Sequence, residues 1–241
     1  MTPKLADIWV YLSASPLLGL TITLVVYQGA YWIYRRAGFH PLLNPVALSV
    51  ATLVALLELT GTPYAAYFDG AQFVHFLLGP ATVALAIPLY AQLDRLKAAW
   101  LPLAGALVVG TVAAIASAVG IAWALGASAT TLISIAPKSV TTPIAMGITE
   151  KLGGLPSLTA VLVVSTGILG AVMAKYVLDA LAIRDHGVRG FAIGVAAHGI
   201  GTARAFQLSE QAGAFAGLGM GLNGLATAVL FPLIVWLAGW R

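Results

Sequence analysis

The sequence predicts an all-α polytopic membrane protein of about eight segments with broken helices. Three observations carry that expectation. Lys and Arg number 12 and Asp and Glu 8 among 241 residues, so 8% of the chain is charged, where an ordinary soluble domain carries about 25%. Hydrophobic residues make up 60% and the mean hydropathy is +0.96, more apolar side chain than one water-soluble core could bury. Apolar runs also recur at the roughly 20-residue length that crosses a bilayer.

Taken in order, the segments fall near residues 8–34, 42–59, 74–92, 99–124, 128–149, 157–182, 189–205 and 213–240. The first is far longer than the core of a signal peptide and is expected to stay as a span. The connections are short, and only 61–73 is long enough for an interfacial or re-entrant piece. The whole chain therefore reads as a single integral membrane domain of a bacterial inner membrane. Counting alternate crossings puts Arg35, Arg36, Arg95, Lys97, Lys151 and Arg204 on one side and Lys4, Arg184, Arg189 and Arg241 on the other. Positive-inside bias makes the first side cytoplasmic. The net charge of +4 is spread singly between apolar runs, so these residues are read as topology signals, with no nucleic acid as partner.

Gly and Pro inside the spans locate the breaks. Pro80 and Pro88 each remove a donor from the third segment, with Gly79 beside the first. Pro137 and Pro143 do the same to the fifth. The strings 80–87 and 137–144 share Pro, Val and Ile in register, three identities in eight. A third irregular stretch, 190–204, places Gly190, Gly194, Gly199 and Gly201 around His198. Irregular backbone at membrane depth survives only where protein or a water-filled cavity satisfies it. Paired broken helices around a midplane site are the transporter pattern.

The chemistry is expected at two clusters. Lys138 is too central to reach the interface and costs a few kcal/mol to insert. Ser139, Thr141 and Thr142 bring hydroxyls beside it, and a helix restarting near Thr141 would point its positive end at the same place. That combination suits a small carboxylate; the structural alternative is an acid from another helix that pairs with Lys138. The second cluster is His198, Thr202 and Arg204. Arg suits bidentate carboxylate recognition, and His titrates near physiological pH and could carry a proton. The structural alternative has His198 donate to a helix carbonyl and Arg204 sit among headgroups. Glu58, the one acid near a span centre on the early helices, is a candidate partner for Lys138 or a proton carrier, and His75 a minor one. Lys175 and Asp179, spaced i,i+4, read as a structural pair.

Asn223 reads as a cross-helix bond and Gly213, Gly217 and Gly221 as a close-contact face within or between subunits. Trp9, Tyr11, Tyr31, Trp32, Tyr34, Trp100, Trp236 and Trp240 sit near span ends as an interfacial belt. Zero Cys and four His leave little for a metal site, and none is expected. Esterase, zinc-protease, P-loop and Rossmann motifs are missing. A Ser139–His198 hydrolase dyad fits the prolines and Lys138 less well than anion binding, so no enzyme is expected.

The strings Ala-Pro-Lys-Ser-Val-Thr-Thr-Pro-Ile-Ala-Met at 136–146, Gly-Gly-Leu-Pro-Ser-Leu-Thr-Ala at 153–160 and Ala-His-Gly-Ile-Gly-Thr-Ala-Arg at 197–204 resemble the LrgB/CidB family. The stretch 76–90 is similar too, so the resemblance runs through about 60–235. It implies one of two functions. One is holin/antiholin-like control of murein hydrolase export and autolysis beside a small LrgA/CidA-type partner. The other is alternating-access transport of a small monocarboxylate such as glycolate, glycerate or pyruvate. The wider superfamily implies an inverted repeat and an elevator motion. The resemblance puts Lys138, Ser139, Thr141, Thr142 and Pro143 on one broken segment and His198, Gly201, Thr202 and Arg204 on the other. Ala197 and Gly147 depart from the pattern, where many relatives carry Ser and an acid. The expectation drawn is a monocarboxylate carrier without a cofactor, coupled to H+ or Na+, acting as a homo-oligomer such as a dimer; the antiholin-like regulator is the alternative.

Overall fold

A computed structural model describes residues 16–237 and 239; Lys4, Trp9, Tyr11, Trp240 and Arg241 lie outside them, as does the side chain of His75. Every regular element among the described residues is helical. Contacts divide the chain into two units between Ala84 and Leu85.

The first unit holds α1 (Pro16–Arg36), a 3-10 turn (Pro41–Leu43), α2 (Pro45–Thr60), α3 (Tyr64–Phe76) and α4 (Leu78–Ala84). Asn44 starts α2 by accepting from the amides of Val46 and Ala47 at 2.9 and 3.2 Å. Gly61, at φ +62, ends it. Gly19 lets α1 and α3 touch, since a Cβ there would strike Tyr67 O. The Tyr67 hydroxyl then lies 2.7 Å from Thr23 Oγ1. Glu58 is exposed on the last turn of α2.

The third segment is broken as expected, one turn ahead of Pro80, where its missing N–H leaves the Phe76 carbonyl without a helical donor. The chain leaves helical geometry at Leu77, and Gly79 and Pro80 fall in the first turn of α4. The first four amides of a helix have no intrahelical acceptor, so a proline there loses nothing. No continuous helix covers 74–92.

The second unit holds α5 (Ala86–Tyr90), α6 (Leu93–Ala98), α7 (Trp100–Ala124), α8 (Ala129–Ile135), α9 (Thr142–Lys151), α10 (Pro156–Ala180), α11 (His186–Leu208) and α12 (Glu210–Leu237). Four described helices, α1, α7, α10 and α12, are long and apolar enough to cross a membrane. They match the segments read from the sequence at 8–34, 99–124, 157–182 and 213–240. The segment at 42–59 corresponds to α2, at 16 residues shorter than these.

Segments 128–149 and 189–205, expected as broken spans, do not cross; each doubles back. Thr159 Oγ1 lies 2.9 Å from Ser134 O, at the end of α8, and 3.0 Å from Thr149 Oγ1, at the end of α9. Fifteen residues of continuing chain could not bring those two groups together, so α8 enters, the chain turns at 136–141, and α9 leaves by the same end. Pro137 is in the turn and Pro143 opens α9, where its missing N–H costs nothing. The amides of Lys138 and Val140 close the turn on the carbonyls of Ile135 and Pro137, at 3.1 and 3.2 Å.

The reversal in α11 is at Ala197 (φ −128°, ψ 16°) and His198 (φ 41°, ψ −136°). A Cβ on Gly201 would lie 2.8 Å from Ile193 Cγ2 and 3.0 Å from Ile193 O, although eight residues of straight helix rise about 12 Å. Helix α12 records both arms. Gly190 and Gly194 seat on the carbonyls of Ala212 and Ala216, running parallel to α12, while Phe206 lies on Gly213 and Gly199 near Met220, running back. Asp185 caps the entering arm by accepting from the Val188 amide at 2.9 Å, as Ser128 caps α8 by accepting from Thr131.

These two reversals change the charge count. Within the second unit, Arg95, Lys97, Arg184, Arg189 and Arg204 all fall at the end where α7 begins and α10 finishes. Lys151 falls at the opposite end, with the close of α7 and the opening of α10. The alternate-crossing count had grouped Lys151 with Arg95 and Arg204, and had set Arg184 and Arg189 against them. Arg189 Nη1 donates to Asp179 Oδ1 at 2.7 Å and to Ile183 O at 3.0 Å, while Lys175 reaches Asp179 Oδ2 at 3.1 Å. The expected structural pair is therefore one half of a three-residue clasp that ties α10 to the entering arm of α11.

Candidate functional site

Both hairpin tips reach the half-height of the long helices. Thr111 is the twelfth of 25 residues in α7, Gly167 the twelfth of 25 in α10, and Asn223 the fourteenth of 28 in α12. Asn223 joins the tips. Its side-chain amide donates to Ser139 O in the first tip at 3.2 Å and to Val195 O in the second at 3.0 Å, while the Thr111 hydroxyl donates to its Oδ1 at 2.7 Å. Both acceptors are carbonyls beside a break, so one buried amide, 1% exposed, satisfies backbone groups that two reversals have left over.

His198 fixes the second tip. Its Nε2 lies 2.9 Å from Val163 O, which can only accept, so this nitrogen carries the proton. The ring sits on Gly167, where a Cβ would come within 2.6 Å of it. His198 holds a positive φ that side chains disfavour, and this buried bond offsets the cost. Thr202 donates to His198 O at 2.8 Å and touches Met220 Sδ.

A cavity of about 930 Å³ opens between α7, the entering arm of α11 and α12. Arg95, Asp185 and Gln211 stand at its mouth, and Lys138 and Ser139 form its inner end. From Ala99 to Ala114 it follows α7 for about 22 Å. Lys138 is half-buried, with Ser139 Oγ 3.4 Å from its ammonium. Among the described residues no carboxylate lies within 4.0 Å of it, and the ion pairs are those at Asp179.

Only part of the set expected to share one site lines this cavity. Lys138 and Ser139 line the cavity; Thr141, Thr142, His198, Thr202 and Arg204 are not among its lining residues. Thr141 begins α9 without a side-chain cap bond. Arg204 is at the end of the returning arm, with Nη1 donating to Gln207 at 2.9 Å. Glu58 belongs to the first unit.

The LrgB-like family matches residues 23–237. This chain belongs to the LrgB-like family. It is 37% identical to "Uncharacterized protein YwbG" of Bacillus subtilis over 91% of this chain and 97% of that one. It is 35% identical to YxaC of the same organism, over 90% and 94%. To "Antiholin-like protein LrgB" of Bacillus mycoides it is 27% identical over 92% and 96%. No solved structure matches.

In this LrgB-like chain, sequence reading gave Asn223 too small a part and missed Thr111 and the cavity wall. The wall on α7 is a stripe of Leu103, Ala106, Gly110 and Ala114 at spacings of three and four. A stripe of small residues could have signalled it, but the same spacing serves ordinary helix contact. The face of Gly213, Gly217 and Gly221 is partly used within the chain: a Cβ on Gly213 would strike the Phe206 ring and one on Gly217 would lie 3.4 Å from Leu85 Cδ1, while one on Gly221 would meet open space.

Proposed function

We propose that the protein is a secondary transporter of small organic monocarboxylates that works by alternating access around Lys138. The observation that carries this reading is an ammonium with no described carboxylate beside it, at the inner end of a cavity and between two hairpin tips. Asn223 already occupies the freed carbonyls of Ser139 and Val195. What the tips still offer is donors: Lys138 Nζ, Ser139 Oγ and the amino end of α9. A carboxylate completes that set where an ordinary span would tolerate no charge.

The same reading takes residues 100–151 and 156–208 as an inverted repeat. Each is a 25-residue helix followed by a 23-residue hairpin, at 129–151 and 186–208. The caps Ser128 and Asp185 correspond, and the two carbonyls on Asn223 fall within one residue of the same register. The hairpins enter from opposite ends and would supply the two gates. Basic residues gather at the mouth, which positive-inside bias assigns to the cytoplasmic face of the inner membrane. Because the His198 ring is engaged by Val163 O, coupling to H+ or Na+ is expected to reside in groups other than that ring.

A second reading is favoured by the relatives' names: an antiholin-like regulator of murein hydrolase export and autolysis, acting with a small LrgA/CidA-type partner or as an oligomer. On names alone it is the better supported. Uptake of labelled pyruvate into proteoliposomes holding this protein alone, with and without pH or sodium gradients, separates the two. Saturable uptake that follows one gradient is the expected result. No uptake by folded protein, with autolysis control intact in cells carrying Lys138→Ala, would favour the regulator.

A further inference from the structure

Resting on the transport reading, we propose that the cavity selects monocarboxylates with an apolar body, such as short unbranched or branched-chain acids, over hydroxylated ones. The level of Lys138 follows from its neighbours: Ser139 O, Val195 O and Thr111 all meet at Asn223. The wall at that height is Gly110 and Ala114 from α7 and Val195 and Ala196 from α11. A Cβ on Gly110 would come 3.1 Å from Val195 Cγ1, so these two walls close on each other there. Apart from Lys138 and Ser139, none of these residues carries a polar side chain.

The other polar lining groups, Arg95, Asp185 and Gln211, stand at the mouth. Ten residues of the entering arm separate Asp185 from Val195, about 15 Å of helix. A three-carbon acid held at Lys138 cannot reach them. Its carboxylate takes Lys138 and Ser139, and any further hydroxyl then faces hydrocarbon and gives up its water unpaired. An alkyl body meets a wall that suits it.

Equilibrium binding to the whole protein in nanodiscs tests this without requiring turnover or a partner. The probes are acetate, butyrate, pentanoate, 4-methyl-2-oxopentanoate, glycolate and glycerate, with Lys138→Met as the control for partitioning into lipid. Affinity is expected to rise about fourfold per added methylene, and glycerate to bind at least about tenfold more weakly than butyrate. Ala114→Ser, which adds one hydroxyl to the wall, is expected to narrow that gap. Glycolate or glycerate binding as tightly as butyrate, with both lost in Lys138→Met, would overturn the selectivity and leave the carboxylate site standing. If no probe binds in a way that Lys138→Met abolishes, both fall.

Discussion

Replacing Asn223 with leucine is expected to lower stability by about 2–6 kcal/mol and to loosen both hairpins together. Leucine keeps the volume, so the loss is not a packing defect. It comes from Ser139 O and Val195 O, which lose their buried donor, at about 1–3 kcal/mol for each orphaned group. Thr111→Val is the graded control. It removes one bond to Asn223 Oδ1 and leaves both carbonyls served, so about 1 kcal/mol is expected. Thermal unfolding in detergent measures the totals, and amide hydrogen exchange at 136–141 and 196–199 reads the two tips separately. Faster exchange at both tips in Asn223→Leu is the expected pattern; a change confined to one would show that Asn223 does not couple them.

The second large effect has opposite signs on stability and activity. Lys138→Met is expected to leave the melting temperature unchanged or raised while cutting carboxylate uptake at least about a hundredfold. Methionine fills a similar space without a charge, and an ammonium at mid-span costs about 2.5–3.5 kcal/mol on insertion scales. No described carboxylate lies close enough to offset that cost. A residue that destabilises the empty protein is retained for what it binds, so the gain in stability and the loss of uptake belong to one argument. If Lys138 instead held the bundle together, the methionine variant would melt earlier, because its former partner would be left unpaired.

Hydropathy and length were enough to find α1, α7, α10 and α12, because 20 to 28 apolar residues in a row have few other uses. Pro137 and Pro143 marked the first break, since two missing amides so close together leave no continuous helix. The doubling back was not legible. A 23-residue hairpin has the composition of a 23-residue span, and nothing in the periodicity says whether the second half continues or returns. In α11 the reversal falls on Ala197 and His198, neither of which advertises a turn. The nearby glycines serve close packing: Gly190 and Gly194 against α12, Gly167 under the His198 ring, Gly201 between the two arms. Pro80 marked a break in the same way, since the helix stops at Phe76 and restarts so that the proline falls in the first turn of α4. Lys138 could be singled out as a lone charge in apolar sequence. Its cavity could not, because the wall belongs to α7, some 30 residues upstream, and is made of residues that also suit a lipid-facing helix.

The most direct test of an anion site reached through this cavity is thiol labelling at Ala114, which lines the inner end. The chain has no cysteine of its own, so Ala114→Cys gives one reactive position with no background. A small membrane-impermeant thiol reagent is expected to modify it from the face carrying Arg95 and Asp185. Saturating monocarboxylate should slow the modification, and adding Lys138→Met should remove that protection while leaving the labelling itself intact. Protection that persists without the lysine, or labelling that carboxylate never slows, would contradict an anion site at Lys138.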